Sequence, residues 1–320
     1  MNTTPDSNGP ENHEARTSHA TVDHSRERAL VIAGGGAAGN AWALGVIAGL
    51  SDAGVDVASA DLIVGTSSGS TVAAQITSGT RPVDLYSAIL AEPPRPPLDR
   101  SARDKQRGPA LSGPSYLEWS NTIIDSAQDP VDMRRKMGAA ALARDSSDGA
   151  AGARWRDIVA ARLPGLNWPE QRVLITAVDA RTGEPVVFHS DSGVELVDAV
   201  AASTSAMTPY PIGDDRYLNG SYRRSENADL AAGYGHVLVL VPFGGRTRMP
   251  LDWGMDLATQ VEELRSGGAI VETVFPDAGA GDVFDANALD PSTRSPAARG
   301  GFDQGRALAE RLSAPWRRPR

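Results

Sequence analysis

The chain contains no cysteine. That absence excludes disulfide frameworks, thiolate nucleophiles and cysteine-ligated metals together, and it fits a cytoplasmic protein. Histidine is scarce as well: of the five, His13, His19 and His24 fall within the first 26 residues, leaving His189 and His236 for the body of the chain. No segment reaches the ~18 uninterrupted apolar residues of a membrane span, so any membrane contact is expected to be peripheral. A cationic surplus is missing too. The net charge of -9 argues against a nucleic-acid partner, because phosphate contacts need clustered Lys and Arg. The one basic cluster, Arg317, Arg318 and Arg320, reads as a solvated tail, with weak contact to anionic lipid headgroups as the sharper alternative. The first 26 residues are polar. They lack the roughly 7–15-residue apolar stretch of a signal peptide and are expected to form a disordered leader.

What the chain does have is a hydrophobic fraction of 41% over 320 residues, enough for one large core. A single domain is expected over 27–315, with a basic tail over 316–320. Ala29-Leu30-Val31-Ile32-Ala33 is a short apolar run ending in glycines, which predicts a buried parallel strand. A helix follows, with Ala43, Leu44, Ile47 and Leu50 on one face and Gly54 as its stop. Leu62-Ile63-Val64 predicts a second buried strand, and Val72, Ala73 and Ile76 a second helix. Strand, glycine turn and helix thus occur twice in close succession. That implies an α/β layered fold, since each crossover helix covers a face of a parallel sheet. From about 82 to 165 the pattern turns helical, with stretches around 116–127, 131–143 and 155–163, and reads as a helical insertion that caps the site. Strands at 172–178 and 185–189, a helix through 197–202, a strand at 237–241 and a final helix near 306–312 complete the layers.

Gly65-Thr66-Ser67-Ser68-Gly69 is a G-x-S-x-G placed directly between a predicted strand and a predicted helix. A serine in such a turn is strained so as to display its hydroxyl, and the flanking glycines remove Cβ atoms that would clash. The hydroxyl lies near a helix N-terminus, which favours developing negative charge. Ser67 is therefore the candidate nucleophile, while the blander role of a helix-capping serine suits Ser68 and Ser70 better. Gly34-Gly35-Gly36-Ala37-Ala38-Gly39 satisfies the G-x-G-x-x-G spacing of a dinucleotide site. Such a site also needs an acidic residue at the end of the second strand, where this chain has Val64-Gly65-Thr66-Ser67, with Asp61 ahead of the strand. The loop is read instead as an oxyanion hole, offering backbone N–H groups beside the elbow. Neither His189 nor His236 has a setting that marks a base, so no Ser-His-Asp triad is expected. A carboxylate acting alone is the remaining option, and the stretch to search is 199–231.

The motifs then converge. The glycine-rich loop, the elbow, Asp198-Ala199-Val200-Ala201-Ala202-Ser203-Thr204-Ser205-Ala206, Arg216-Tyr217-Leu218-Asn219-Gly220-Ser221 and Asn227-Ala228-Asp229-Leu230-Ala231 together resemble the patatin-like phospholipase family, over roughly 29–241. The resemblance implies a three-layer α/β/α sandwich and hydrolysis of acyl esters, often lipids, by a Ser-Asp dyad without metal or organic cofactor. It implies Ser67 as nucleophile, with Gly65 and Gly69 as the glycines of its elbow. It also implies Gly34, Gly35, Gly36, Ala37 and Gly39 as the oxyanion loop, and position 219 as the partner of the serine.

Two departures from the family pattern stand out. Ala38 replaces a residue that is usually Arg or Lys, and Asn219-Gly220-Ser221 stands where the family has Asp-Gly-Gly or Asp-Gly-Ala. A neutral amide is isosteric with the carboxylate but is a negligible base near neutral pH, and general-base assistance is worth ~10²–10⁴ in rate. Three readings stay open. The chain is a silent acyl- or lipid-binding or regulatory protein on the same scaffold; or Asp214, Asp215 or Asp229 stands in as the acid; or Asn219 becomes Asp through a succinimide, which an Asn-Gly dipeptide favours. The bland reading of Asn219-Gly220 is a turn. Elsewhere, Asp252, Asp256, Glu262 and Glu263 read as solvated charge on a surface helix. Asp277, Asp282 and Asp285 show no recognised calcium spacing, and Trp42 reads as core.

Overall fold

Apolar and β-branched side chains favour an extended backbone with both faces covered, and β1 (Arg28–Ile32) lies at the centre of an eight-stranded sheet. The structure is a computed structural model that describes residues 27–93, 113–145, 149–280 and 287–316. The leader, the proline-rich and charged stretch over 94–112, Asp282, Asp285 and the tail arginines lie outside the described residues. β1 pairs in parallel with β2 (Leu62–Gly65) on one side and with β7 (His236–Leu240) on the other. The parallel strands β3 (Arg172–Asp179) and β8 (Ile270–Val274) extend the sheet beyond β2 and β7 respectively.

β3 also carries antiparallel neighbours. β4 (Pro185–Phe188) pairs with it over Ile175 to Val178, and β6 (Asp215–Asn219) over Ala177 to Asp179, with β5 (Tyr210–Ile212) outside β6. β2 pairs with β3 over Arg172 to Ile175. Because β4 overlaps both of these registers, β2 and β6 must share the opposite edge of β3, end to end. Their C-terminal ends therefore meet beside Thr176. This is the architectural fact that positions the site.

Alternate side chains of the strands feed two cores. Leu30, Ile32, Ile63, Val173 and Ile175 face α1 (Gly36–Asp52), α2 (Ser68–Ile76), α7 (Leu196–Thr204) and α9 (Arg294–Trp316). Ala29, Val31, Leu62, Val64 and Leu174 face α8 (Leu257–Ser266) and the 228–231 turn. Helices thus cover both faces of a mixed sheet, in the α/β/α order expected. The expected helical insertion divides. α3 (Pro82–Ala91) and α6 (Ala150–Ala160) join the first core through Leu85, Ile89 and Val159. α4 (Gly113–Ser126) and α5 (Pro130–Leu142) build a third cluster with Leu218, Tyr222, Met249 and Met255. Among the described residues of this stretch there is no strand.

α1 departs from its expected single apolar face, since every residue from Ala38 to Leu50 is buried. The cause is α9, which covers its outer side at backbone contact. A Cβ on Gly49 would lie 2.1 Å from the Phe302 carbonyl oxygen, and one on Gly301 would lie 2.3 Å from that of Trp42. α9 itself starts twelve residues before the expected 306, because Gly301 and Gly305, which interrupt its helical pattern, are there for this crossing. Trp316, expected to open the basic tail, is buried, with the Arg28 guanidinium 5.5 Å from its ring centroid. No helix among the described residues is long and apolar enough to cross a membrane.

Candidate active site

Ser67 connects β2 to α2 with φ 54° and ψ -126°. A side chain held in that region stores about 1–3 kcal/mol of strain, which the surroundings must impose. They do so through close packing: a Cβ on Gly69 would lie 2.0 Å from the Ile32 carbonyl oxygen, and one on Gly65 would lie 2.6 Å from Ser70 Cα. The elbow is tied down on every side. The Ser67 N–H donates to the buried Ser203 Oγ of α7 at 2.9 Å, and Ser70 Oγ donates to the Ser67 carbonyl at 2.6 Å. Ser68 Oγ accepts from the Gly35 N–H at 2.9 Å. Ser68 and Ser70, expected as caps of α2, are therefore elbow ties, and the N-cap position is Ser67 itself.

Asn219 ends β6 and, across the shared edge of β3, its Nδ2 donates to Ser67 Oγ at 3.0 Å. Its Oδ1 accepts from the Ser221 N–H at 3.0 Å. That second bond fixes the amide: only oxygen can accept from an N–H, so the NH₂ group must face the serine. A side chain in the place of a base thus presents a donor. The stand-in acids do not reach. Asp215 is at the far end of β6, about 13 Å along the strand. Asp214 precedes it, and Asp229 is held by Arg223 in a two-pronged pair at 2.8 and 2.9 Å. His236 opens β7 at the opposite end of the sheet, and His189 caps a surface turn. Among the described residues no carboxylate is bonded to Ser67.

The glycine-rich loop passes over the end of β1 into α1. A Cβ on Gly34 would lie 3.6 Å from Ser67 Oγ, so this backbone abuts Ser67 directly. Two of the five expected oxyanion donors have their amides engaged. Gly35 N–H is bonded to Ser68 Oγ, and Gly39, a full turn into the helix, donates to the Gly35 carbonyl at 2.8 Å. The N–H groups of Gly34, Gly36 and Ala37 have no partner among the described residues, and all three residues are partly exposed. The same holds for Ser68, the residue after Ser67, whose amide no sequence motif singles out. The N-termini of α1 and α2 therefore converge on Ser67 with unsatisfied donors and aligned dipoles.

Two further groups were not legible as site residues. Arg294, at the start of α9, donates to Asn40 Oδ1 at 2.8 Å and pairs with Glu92 at 3.0 Å, while Asn40 Nδ2 reaches the Ser68 carbonyl at 3.5 Å. On the other face of the sheet, burial, followed by the charge of Asp256, pushes the Glu226 carboxyl up to about 7. Asp256, expected to be solvated, is buried and caps α8 through the Thr259 N–H. No group of three or more His, Asp or Glu among the described residues is placed to hold a metal ion.

A family model described as Patatin-like phospholipase matches residues 30–232, well over half of the chain. Among solved structures, VipD from Legionella pneumophila is similar at 14% identity and a TM-score of 0.43, over 89% of this chain and 67% of that one. The type III effector protein ExoU is similar at 14% identity and a TM-score of 0.31, over 88% of this chain and 54% of its own, so this chain spans about half of ExoU's length. No curated protein sequence matches.

Proposed function

The chain belongs to the patatin-like phospholipase family, and from that premise we propose that it is a serine hydrolase of acyl esters, lipids foremost, with Ser67 as nucleophile. Ser67 Oγ attacks the acyl carbonyl, and the oxyanion is held by the free amides of Gly34, Gly36 and Ala37 at the N-terminus of α1. Each such donor is worth ~10²–10³ in rate. The serine proton leaves with the departing alcohol, and water then cleaves the acyl-enzyme to carboxylic acid and free Ser67. Asn219 orients the hydroxyl through its 3.0 Å bond but takes no proton. Turnover is therefore expected ~10²–10⁴ below that of the same site with a carboxylate there. Lipid substrates are met from the water side, as a peripheral contact.

The observation that carries this reading is a strained serine with a partner 152 residues away at hydrogen-bond distance. The test is labelling by a fluorophosphonate probe together with hydrolysis of p-nitrophenyl butyrate, with Ser67→Ala as control. Labelling and turnover that vanish in Ser67→Ala support it. A second reading rests on the polarity of Asn219: a site of donors without a base suits a silent acyl- or lipid-binding protein. Saturable fatty-acid binding without labelling or turnover would select that alternative.

A further inference from the structure

Besides Ser67, one other non-glycine residue among the described residues has positive φ: Asn227, at 61°, and it is fully buried. Strain and burial of a polar side chain both oppose folding, so both must be offset by what the side chain does. It makes a dense set of bonds. Its Nδ2 donates to Thr66 Oγ1 at 2.9 Å, to the Gly220 carbonyl at 3.0 Å and to Thr176 Oγ1 at 3.2 Å. Its Oδ1 accepts from Arg223 at 2.9 Å, and Arg223 is locked in turn by Asp229.

The partners are telling. Thr66 immediately precedes Ser67, Gly220 immediately follows Asn219, and Thr176 is the β3 residue between the registers of β2 and β6. The two strand ends that bring Ser67 and Asn219 together share a neighbour but have no ladder between them. The Asn227 amide spans that gap from the far face of the sheet. Thr66 and Thr176 close the triangle with a 3.1 Å hydroxyl contact, and Gly220 lies so flush that a Cβ there would meet Thr176 Oγ1 at 2.1 Å. Asn suits the position because it tolerates left-handed backbone and offers donors and an acceptor on one short side chain.

We propose that Asn227 is a positioning residue that sets the separation between Ser67 Oγ and residue 219; its catalytic consequence rests on the serine-hydrolase reading above. The test is a double-mutant cycle on the rate of Ser67 phosphonylation, using wild type, Asn219→Asp, Asn227→Gly and the double variant. Glycine keeps the backbone angle and removes only the amide. Asn227→Gly is expected to slow labelling by about tenfold to a hundredfold, the range for a small misplacement, and to abolish most of the gain that Asn219→Asp gives alone. Purely additive effects in folded variants would overturn the proposal. Thr66→Ser, which keeps the hydroxyl, is expected to retain the rate that Thr66→Val loses, and Thr66→Val replaces Asn227→Gly in the cycle if the latter does not fold. If no variant is labelled, Asn219→Asp included, the hydrolase reading falls by itself. A crystal structure of Asn227→Gly then decides the positioning: a Ser67–Asn219 contact opened beyond hydrogen-bond distance supports it, and one still at 3.0 Å overturns it.

Discussion

Asn219→Asp replaces one NH₂ group by an oxygen and reverses a single hydrogen bond. In the wild-type site Nδ2 donates to Ser67 Oγ at 3.0 Å, while Oδ1 is held by the Ser221 N–H at the same distance. A carboxylate keeps the Ser221 bond and turns its other oxygen toward the serine as an acceptor. The O–H···O⁻ contact then closes to about 2.5–2.7 Å, and a base stands where a donor stood. General-base assistance of ~10²–10⁴ corresponds to about 3–5 kcal/mol of transition-state stabilisation. With only 6% of residue 219 exposed, the new carboxyl loses hydration, while the bonds from the Ser221 N–H and the Ser67 hydroxyl favour its charged form. The gain is thus expected to appear as an activity limb that climbs with pH and is absent from the wild type. The assay is kcat/KM for p-nitrophenyl butyrate from acidic through neutral pH, with the melting temperature of each variant measured alongside. A gain below about tenfold in a folded variant, or a gain flat with pH, would refute the reasoning.

Further outcomes follow from other parts of the fold. Ser67→Gly is expected to raise thermal stability by about 1 kcal/mol through release of backbone strain, while abolishing probe labelling; an unchanged or lower melting temperature contradicts the strain. Gly49→Ala places a methyl 2.1 Å from the Phe302 carbonyl and is expected to lower stability by about 1–3 kcal/mol, read by denaturant unfolding. Glu226→Gln should stabilise the protein in a pH-dependent way. The folded-state pKa of about 7 lies above the ordinary 4.5, so the penalty of the buried charge is absent below about 4.5 and complete above about 7. The variant should gain at most about 3 kcal/mol at pH 8 and nothing at pH 4, by melting at the two values. Asn219 in the folded protein is expected to resist deamidation, because both atoms of its amide are bonded and Gly220 is packed against Thr176. Peptide mass analysis of folded and urea-unfolded samples aged together should show the conversion only in the second.

The inner strands and the elbow were legible because local pattern and tertiary role agree there. β1 and β2 are apolar on both faces, and Gly65 and Gly69 sit where the chain passes the end of β1. β6 was not legible: Asp-Arg-Tyr-Leu-Asn has only two buried residues and looks like a turn, and it is a strand because β3 offers the edge that β2 vacates. β8, Ile-Val-Glu-Thr-Val, lies at a sheet edge, and Glu272 and Thr273 break the apolar run expected of a buried strand. The glycine-rich loop proposed as an oxyanion hole stands out by its glycines, but which of its amides lack a partner among the described residues depends on Ser68 and on the helical register, and neither shows in a motif. Asn227 entered only as part of a resemblance. Its role comes from three hydrogen-bond partners scattered over 154 residues, from Thr66 to Gly220, which no local window contains.

The backbone-close crossing of α1 and α9 also bears on how the chain is made. Asn40 and Arg294 are 254 residues apart, so α1 leaves the ribosome long before its outer cover exists. At about 5–20 residues per second that interval is ~10–50 s. Meanwhile the stripe of Trp42, Gly45, Val46 and Gly49 is bare apolar surface, a natural target for a chaperone holdase. The amide of Ala38 and the side chain of Asn40, which steady the glycine loop, also await their partners, Ala288 and Arg294. A chain stalled before 288 would carry the elbow, Ser67 and Asn219 without those partners. The glycine loop beside Ser67 thus reaches its final set of contacts only after Ala288 and Arg294 have been made.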